Sequence, residues 1–432
     1  MGDDVCHYEV QQNDKYGRYL VANKDLVSGE LIFTDTPFAF GPKPGKYTPP
    51  LCLGCYCPVE NTLCSACGWP VCSEECGKSA THAGECEVFS AAKVKFQTVE
   101  DWTVSAPQLD CITPLRILLA KEKDPDRWQR ELEVMETHTK ERKERPTWSA
   151  DQVNIADFLV DYCKLGDRFD KELVQKVCGI LEVNSVEIPS RGGFSIRALY
   201  PQLAITAHNC VPNIVHTILQ NDYQVQVRAA VPIKQGETLH LCYTHSLSPT
   251  IVRRDFLLES KFFECDCARC ADPTELGTHL STLKCSKCDN GYKSVFHPRH
   301  SLLLSLKHTL AQLYGRVEGY GIDELPDLML ERKAEFCRLV LSTLDVIMPG
   351  ETRMRGMMLY ELHAPLMFLA RNEFSAGLIT QEKLKEKLQE PIECLAEAAR
   401  ILTREDPQSP EGITGQIAQQ SMEQLKASLE CL

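Results

Sequence analysis

Two stretches of the chain have the short apolar and alternating patterns that predict β strands. In the first stretch, residues 7–40, residues 19–22 alternate, residues 28–30 predict a turn, and the apolar residues 31–33 predict the next strand. In the second stretch, strand character runs through residues 196–243 and includes another Gly-Glu turn. The two stretches together predict a β core that is built from segments far apart in sequence.

Helical periodicity fills the region between these stretches. A linker rich in Pro and Gly is predicted at residues 41–50. One helix is predicted from the apolar positions Leu115, Ile117, Leu118 and Leu119. Ser149 and Gln152 form a capping box, which predicts the start of a second helix. The apolar face of that helix is predicted to consist of Val153, Ile155, Phe158, Leu159 and Tyr162.

The pattern is helical again from about Ser301 to the end of the chain. Helix breaks are predicted at residues 349–350 and around 376–377, and Ser-Pro at 409–410 predicts a helix start. The whole pattern therefore predicts an α+β fold. Its β core is interrupted by a cysteine-rich module and a helical insert, and a helical tail follows.

Composition restricts the compartment and the partners. The chain has 432 residues and a net charge of −13, so general attraction to nucleic acid or to a membrane is not expected. No apolar run approaches the roughly 18–20 residues that cross a bilayer. The first six residues contain neither a basic leader nor an apolar signal core. The 22 cysteines then indicate a reducing compartment, which is the cytoplasm, the nucleus or both. They also indicate metal binding rather than disulfides. We expect a monomer.

Eight potential metal ligands lie in one short segment. They form four pairs, Cys52-x2-Cys55, Cys64-x2-Cys67, Cys72-x3-Cys76 and His82-x3-Cys86. Each pair can bind one ion from a tight turn, and two tetrahedral zinc ions need eight ligands. The segment has few large apolar residues, so zinc would supply most of its folding free energy, roughly 10–16 kcal/mol per site. A disulfide knot is the alternative and needs an oxidising compartment. Cys57 is interpreted as a spare thiol.

The four pairs resemble the MYND zinc finger, in which the pairs are shared between two ions in an interleaved way. The resemblance implies one site made of Cys52, Cys55, Cys72 and Cys76, and another made of Cys64, Cys67, His82 and Cys86. It also implies a module that binds a partner peptide. The segment carries four glutamates against the single Lys78, so we do not expect it to bind nucleic acid directly.

A second cluster, Cys265-x-Cys267-x2-Cys270, supplies three thiolates and leaves a tetrahedral zinc one ligand short. Cys210 is the candidate for the fourth ligand. A further zinc site would use Cys285 and Cys288, and two histidines lie downstream of them. These two histidines are His297 and His300. The alternative, a loop with unused thiols and two surface histidines, explains these residues equally well.

The sequence around Cys210 reads His208-Asn209-Cys210-Val211-Pro212-Asn213, and Cys242-Tyr243 precedes the second cluster. This order resembles the SET and post-SET regions of SET-domain methyltransferases. Together with the early MYND finger, the resemblance is to the SET and MYND (SMYD) family and covers essentially the whole chain. It implies a β-rich SET fold, S-adenosylmethionine as cofactor, three structural zinc ions, a lysine-containing protein or peptide substrate, and a tail similar to tetratricopeptide repeats.

The resemblance also implies roles for individual residues and the boundaries of the domains. It implies that Tyr243 is catalytic and that its hydroxyl orients the lysine amine. The residues implied to bind the cofactor are Tyr16, Gly17, Arg18, Asn184, Ala207, His208, Tyr243 and Phe263. The implied parts are an N-terminal SET part at 1–48, the finger at 49–88, a helical insert at 89–185, the SET core at 186–248, a post-SET region at 249–275 and a helical domain at 276–432.

Several positions differ from the family pattern. Ala207 and Asn209 replace an Asn and a Ser, the N-terminal glycine-rich loop keeps only Gly17, and Ser248 and Lys261 replace tyrosines of the lysine channel. Two hypotheses therefore remain. The chain is a protein-lysine methyltransferase acting on histone or other proteins, or it is an inactive SET scaffold that acts as a zinc-dependent adaptor or transcriptional regulator.

Overall fold

The structure, a computed structural model, describes residues 6–44, 49–97, 107–283 and 296–430. The strands in this part of the chain are β1 (Tyr8–Asn13), β2 (Gly17–Ala22), β3 (Leu31–Asp35), β4 (Ala39–Pro42), β5 (Val186–Pro189), β6 (Ser195–Leu199), β7 (Ala207–His208), β8 (Ile214–Ile218), β9 (Val225–Ala229), β10 (His240–Leu241), β11 (Arg316–Val317) and β12 (Tyr320–Gly321). All but β5, β11 and β12 overlap the two predicted strand-forming stretches.

Helices occupy most of the remainder. They are α1 (Glu74–Gly77), α2 (Ala80–Ala92), α3 (Ile112–Lys123), α4 (Pro125–Arg127), α5 (Thr139–Arg142), α6 (Pro146–Asp151), α7 (Lys171–Asn184), α8 (Thr250–Lys261), α9 (Ala268–Ala271), α10 (Ser301–Leu313), α11 (Asp327–Ile347), α12 (Arg353–Ser375), α13 (Gln381–Leu402) and α14 (Pro410–Glu430). Segments of 3₁₀-helix span Pro107–Cys111 and Leu203–Ile205, and π-helical segments span Trp128–Leu132 and Gln152–Tyr162. The α+β class is confirmed.

The β core joins the two strand-forming stretches across the intervening module and helices. Antiparallel β3 pairs with β9, which pairs with β8, and antiparallel β4 pairs with β6, which pairs with β5. Along β9, alternate residues Val225, Val227 and Ala229 are fully buried, as expected for a strand with one face on the core. Two smaller pairings also occur within these stretches. Strands β1 and β2 form an antiparallel hairpin, and β7 and β10 form a short parallel pair.

The two predicted Gly-Glu turns are confirmed. Gly29 has φ of +80° and Gly236 has φ of +84°, a backbone conformation that side-chain-bearing residues rarely adopt. The Gly29 N–H donates to the Ala229 carbonyl at 2.8 Å, so this turn is fixed against the end of β9.

The cysteine-rich segment has a larger apolar core than its composition predicts. Trp69 is fully buried and its ring stacks on Phe89 with 3.9 Å between centroids. Its indole N–H donates to the Val94 carbonyl at 3.0 Å, and its ring also contacts Phe96 and Phe158. Because Phe158 belongs to the helical insert, the segment shares its core with those helices. Apolar packing therefore contributes to the stability of the segment beside the predicted metal, and the share supplied by zinc stays a prediction.

The predicted capping box is wrong. The helix around it starts earlier, with Pro146 at its first position, so Ser149 lies inside α6 rather than before it. A π-helical segment follows, and its wider turn rotates the apolar face. As a result Val153 and Tyr162 are 63% and 69% exposed, although the pattern predicts that both are buried.

The predicted linker at residues 41–50 is partly wrong. Its first two residues continue β4, where Gly41 pairs with Arg197 and Pro42 with Ile196. Residues 45–48 lie outside the described part of the chain. A proline is compatible with this strand because β4 has a partner on one side only.

The helical tail begins and breaks where the sequence predicts. Helix α10 starts at Ser301, α11 and α12 are separated at residues 348–352, α12 ends at Ser375, and α14 starts at Pro410. The tail contacts the β core at the first break, since the Glu351 N–H donates to the Ala230 carbonyl at 2.8 Å. Among the described helices, none combines the length and apolar character needed to cross a bilayer. The six domain limits stay predictions.

Candidate active site and metal centres

The first metal cluster consists of Cys52, Cys55, Cys72 and Cys76. All four sulfur atoms lie within 4.8 Å of one another, and the Cys55–Cys72 and Cys72–Cys76 Sγ distances are both 3.5 Å. Tetrahedral zinc with Zn–S bonds of about 2.3 Å places its sulfur ligands about 3.8 Å apart. The donor set and its spacing therefore fit zinc. Backbone N–H groups of Gly54 and Cys72 donate to the Cys52 sulfur, as expected for a thiolate ligand.

The second cluster consists of Cys64, Cys67, His82 and Cys86. The Cys64 and Cys86 sulfurs are 3.8 Å apart, and Cys67 Sγ is 3.3 Å from His82 Nε2. Helix α2 carries the last two ligands and starts with Ser79 as its N-cap, which accepts from the His82 N–H. Both groups of ligands match the interleaved pairing that the resemblance implies. Cys57 belongs to neither cluster.

A buried ion pair supports the second cluster. His82 Nδ1 lies 3.4 Å from Glu85 Oε1, so the carboxylate orients the ring that presents Nε2 to the metal. Burial acts to raise the pKa of the Glu85 carboxyl, but the Arg116 guanidinium and the hydrogen bond with His82 together outweigh burial, and the net shift is downward. Arg116 also donates to the carbonyls of Phe40 and Leu53, both at 2.9 Å. The metal cluster is thereby tied to β4 and α3.

The third cluster brings Cys210 together with Cys265, Cys267 and Cys270. The Cys210 sulfur lies 3.9 Å from that of Cys265 and 3.5 Å from that of Cys270. The sequence proposal for the missing fourth ligand thus agrees with the geometry. Three of the four cysteines are buried, so this site is less accessible to water than the first cluster, where Cys72 is exposed.

Two buried arginines surround the third cluster, and the sequence motifs contain no signal for them. Arg253 on α8 lies with Nε 3.3 Å from Cys210 Sγ and donates to Cys270 Sγ at 3.4 Å. Four thiolates exceed the charge of one zinc ion by two, so a buried guanidinium compensates the excess. Glu275 pairs with Arg253 at 2.7 Å and with Arg269 at 2.9 Å, and all three side chains are almost fully buried.

The segment at residues 207–213 is fixed against β10. The Ala207 and Asn209 N–H groups donate to the carbonyls of Leu239 and Leu241. The side chain of Asn213 accepts from the His240 N–H at 2.7 Å and donates to the Thr238 carbonyl at 2.9 Å. The parallel pairing of β7 with β10 therefore sets the start of the segment that carries Tyr243.

His208 connects the third cluster with Tyr243. Its Nδ1 accepts from the Tyr243 N–H at 3.1 Å, which leaves Nε2 as the protonated nitrogen, 3.4 Å from Cys210 Sγ. Burial lowers the pKa of His208 to about 4, so the ring is neutral near pH 7. A thiolate of the metal site and the backbone of Tyr243 are therefore held by the same imidazole.

Tyr243 itself lies on the wall of a cleft of about 630 Å³. Its hydroxyl donates to the Thr206 carbonyl, which leaves the oxygen lone pairs available to a ligand. Burial raises the pKa of Tyr243 to about 12, so the hydroxyl keeps its proton. Other parts of the wall come from the end of α7, including Asn184, and from the end of α8, including Lys261.

The residues implied to bind the cofactor divide into two groups. Asn184 and Tyr243 line the cleft, while the others lie outside its lining. Tyr16 packs against His240, the β10 residue that pairs with Ala207, and the Phe263 ring lies 5.8 Å from that of His208. Gly17 has φ of +64° and open space around it. The structure therefore brings only two of the implied residues into the lining of the cleft.

A loop that the sequence did not indicate joins Arg18 to Asn184. Arg18 donates to the Val134 carbonyl at 3.4 Å, and the Asn184 amide donates to the Glu136 carbonyl at 2.9 Å. The Glu136 carboxylate accepts from the N–H groups of Thr137 and His138, and these hydrogen bonds lower its pKa. The loop adds polar groups between two predicted cofactor residues, and no motif marks it.

Two further sequence interpretations have different outcomes. Cys285 and Cys288 lie outside the described residues, so the possible fourth zinc site stays a prediction. His300 is the N-cap of α10 and accepts from the Leu302 N–H at 3.3 Å. Ser248 does not line the cleft, and its carbonyl accepts from Arg253 and Arg269 next to the third metal cluster.

Comparison with known proteins gives named relatives. No protein-family model matches the chain. SET domain-containing protein SmydA-8, isoform A, from Drosophila melanogaster is 33% identical over 287 residues, which are 65% of this chain and 59% of that protein. Histone-lysine N-methyltransferase SMYD3 from Mus musculus is 27% identical and N-lysine methyltransferase SMYD2 from Gallus gallus is 26% identical, each over 59% of this chain. The matches cover 59% and 57% of these two proteins, respectively.

Solved structures add a weaker comparison. The SET domain of LSMT bound to lysine and AdoHcy aligns over 100% of this chain and 90% of that chain, with 13% identity and a TM-score of 0.33. The chain spans about three-fifths of the length of the curated relatives it matches. From these sequence matches, the chain is a homologue of SMYD-family SET-domain proteins.

Proposed function

We propose that the chain is an S-adenosylmethionine-dependent protein-lysine N-methyltransferase with a MYND finger that binds a partner peptide. The observation that supports this most is the setting of Tyr243. Its backbone is held by His208, its hydroxyl by the Thr206 carbonyl, and its side chain lies on the wall of the cleft. A rigid hydroxyl at the end of a strand suits a group that orients a reacting amine.

Methylation of lysine first requires loss of a proton. With a pKa near 10.4, an amine in water pays roughly 4–5 kcal/mol for this step at pH 7. Burial beside Tyr243 lowers that cost because it disfavours the ammonium form. The Tyr243 oxygen then accepts from the neutral amine and aligns its lone pair. Bound S-adenosylmethionine would supply an activated methyl group and a positive charge that lowers the amine pKa further.

The residues that would hold the cofactor are Arg18 and Asn184 with the loop at 134–138, His208, and Phe263. They offer a guanidinium, amides, carbonyls and an aromatic surface, a donor set suited to an amino acid joined to a nucleoside. Gly17 begins β2, and Tyr16 directly precedes it. One feature weakens binding, since Asn13 already accepts from the N–H groups of Lys15 and Tyr16. These two amides are not available to a ligand.

The adaptor hypothesis has a specific observation in its favour. The ammonium of Lys261 lies in the cleft, 5.7 Å from the centre of the Tyr243 ring. An inactive scaffold would tolerate this cation, and its function would rest on the finger and the helical tail. For either hypothesis we propose a monomer in the cytoplasm, the nucleus or both, with a peptide rather than a nucleic acid at the acidic finger.

Calorimetric titration with S-adenosylmethionine separates the two hypotheses before any substrate is known. We expect one binding site per chain, competed by S-adenosylhomocysteine. The variant Asn184→Ala should bind more weakly because it also releases the loop at Glu136, whereas Lys426→Met, on the exposed face of α14, should bind as the wild type does. No binding by the wild type would support the adaptor. Transfer of methyl groups to lysine peptides, followed by mass spectrometry, is the second measurement.

A further inference from the structure

Lys261 is the last residue of α8, and its side chain reaches into the cleft. Its Nζ donates to the Val183 carbonyl at 2.6 Å and lies 5.7 Å from the centroid of the Tyr243 ring. Val183 is in the last turn of α7, so the ammonium lies where the carbonyls of that helix end. A lysine amine of the chain itself thus already lies near the ring of the tyrosine whose hydroxyl is proposed to orient a substrate amine.

The surroundings of this ammonium are poorly matched to a permanent structural cation. Within the described residues, no carboxylate lies within ion-pair distance of Lys261. Its partners are one carbonyl and one aromatic face, which compensate a partly buried charge only in part. Burial therefore lowers the pKa of Lys261 to about 8, with Glu182 acting in the opposite direction. A carbonyl and an aromatic face are also what a cleft offers to an incoming lysine amine.

We propose that Lys261 is an internal competitor for the acceptor position, whose ammonium occupies the Val183 carbonyl and the Tyr243 face and must leave the cleft before a substrate lysine enters. The inference rests on the proposed function, because the competition concerns the same amine. It adds a regulatory contact within the chain, between α8 and the wall of the cleft.

The size of the effect follows from the contacts that are lost when Lys261 leaves. One hydrogen bond and one cation–π contact are each worth roughly two- to tenfold in an equilibrium. If these contacts keep the cleft closed, the apparent affinity for the acceptor falls by the fraction of open molecules. We therefore expect closure to raise the KM for a lysine peptide by about tenfold and to leave kcat unchanged, since a saturating peptide displaces the side chain.

The test compares Lys261→Met with Lys261→Arg. Methionine keeps the length of the side chain without charge, whereas arginine keeps a cation that can hold the same carbonyl and ring. The probe is a set of short peptides with one lysine each, used with S-adenosylmethionine. We expect Lys261→Met to lower the KM of the best acceptor about tenfold with kcat, melting temperature and cofactor Kd near the wild type. Lys261→Arg should stay near the wild type, and Lys426→Met serves as a surface control. Lys261→Gln is a second neutral variant if Lys261→Met does not fold.

The pH profile separates competition from a purely structural cap. Below pH 8 the Lys261 side chain of the wild type is a cation, and above pH 8 its amine is neutral and competes less. The kcat/KM of Lys261→Met divided by that of the wild type should therefore be largest near pH 7 and fall toward about pH 9. Titration of the substrate amine affects both proteins equally and cancels in the ratio. The charged and titratable groups on the other cleft elements are Lys43, Asp151, Cys178, Glu182, Glu187, Arg197, His216, Cys242 and Tyr243.

Three outcomes decide the inference. A lower KM in Lys261→Met but not in Lys261→Arg supports competition. Equal KM in all variants, with measurable transfer and cofactor binding, overturns the competition and leaves the proposed function standing. Absence of cofactor binding in every variant overturns the proposed function, and the competition with it.

Discussion

All ligands of the finger lie between Cys52 and Cys86, whereas the third cluster joins Cys210 in the β core to three cysteines that follow α8. Both regions use thiolates within the same distance of one another. The two regions differ in which other parts of the fold are contacted by the side chains next to the metal ligands. The second finger site reaches β4 and α3 through Glu85 and Arg116, and the third cluster reaches Tyr243 through His208.

This difference separates two roles of similar metal sites. A local site fixes a module and its attachment to the scaffold. A site with ligands from distant segments fixes how these segments meet, and here one of them carries the proposed catalytic hydroxyl. Zinc loss should therefore have different consequences in the two regions, although each loss removes a comparable number of metal–ligand bonds.

The largest effect is expected from Cys265→Ser. This change removes one thiolate from the third cluster and leaves Arg253 facing an incomplete ligand set. Structural zinc sites contribute roughly 10–16 kcal/mol to folding, so the region around the cluster should unfold cooperatively. Elemental analysis should give three zinc per chain for the wild type, or four if Cys285 and Cys288 also bind, and one fewer for the variant. Cofactor binding should be lost with the metal.

The matched control is Cys57→Ser, which removes a thiol that belongs to none of the three clusters. It should keep the wild-type zinc content and melting temperature. A wild-type protein with two zinc ions or fewer would contradict the ligand assignment.

Cys64→Ser should have a smaller effect on the cleft. It removes one zinc from the finger, but the stacked pair of Trp69 and Phe89 and their contact with the helical insert remain. We expect proteolysis to begin at residues 49–97 while residues 186–275 stay resistant. Cofactor binding should persist. The reverse order of cleavage would argue against the separation of the two regions.

Most of the metal ligands could be predicted from the sequence because zinc ligands follow short spacings, which can be recognised without knowledge of the fold. Cys210 was found through its neighbours, although it is distant from Cys265 in the chain. The buried supports were not found, since Arg253 and Glu275 have no fixed spacing to the cysteines they contact. Their roles depend on how α8 packs, and packing is a property of the folded chain.

The helical insert shows another limit. The capping-box prediction at Ser149 failed because Pro146 starts the helix one turn earlier, and the π-helical segment then changes which residues face inward. A periodicity of 3.6 cannot predict an i→i+5 turn. The strands and the tail were predicted well because their patterns are regular and their ends carry Gly or Pro. The cofactor residues stay predictions, since only Asn184 and Tyr243 line the cleft.

Tyr243→Phe tests the link from the third cluster to the cleft without disturbing the metal. It removes one hydroxyl, and the backbone contact with His208 remains. Loss of one orienting contact in the transition state corresponds to a rate decrease of roughly 10²–10³-fold. Zinc content, melting temperature and the Kd for S-adenosylmethionine should stay near the wild type. A variant as active as the wild type would exclude Tyr243 as the catalytic residue.

Ala207→Asn is expected to give the smallest effect, and it acts on the cofactor alone. Ala207 is buried in β7, pairs with His240 and lies next to the turn of Tyr16. An amide there would add one hydrogen bond to the cofactor, worth about 0.5–1.5 kcal/mol, so S-adenosylmethionine should bind up to about tenfold tighter. Calorimetry measures this change, and Ala427→Asn on exposed α14 is the control. Unchanged binding with an unchanged melting temperature would mean that the cofactor does not approach β7. The third metal cluster would then support Tyr243 without contributing to the cofactor site.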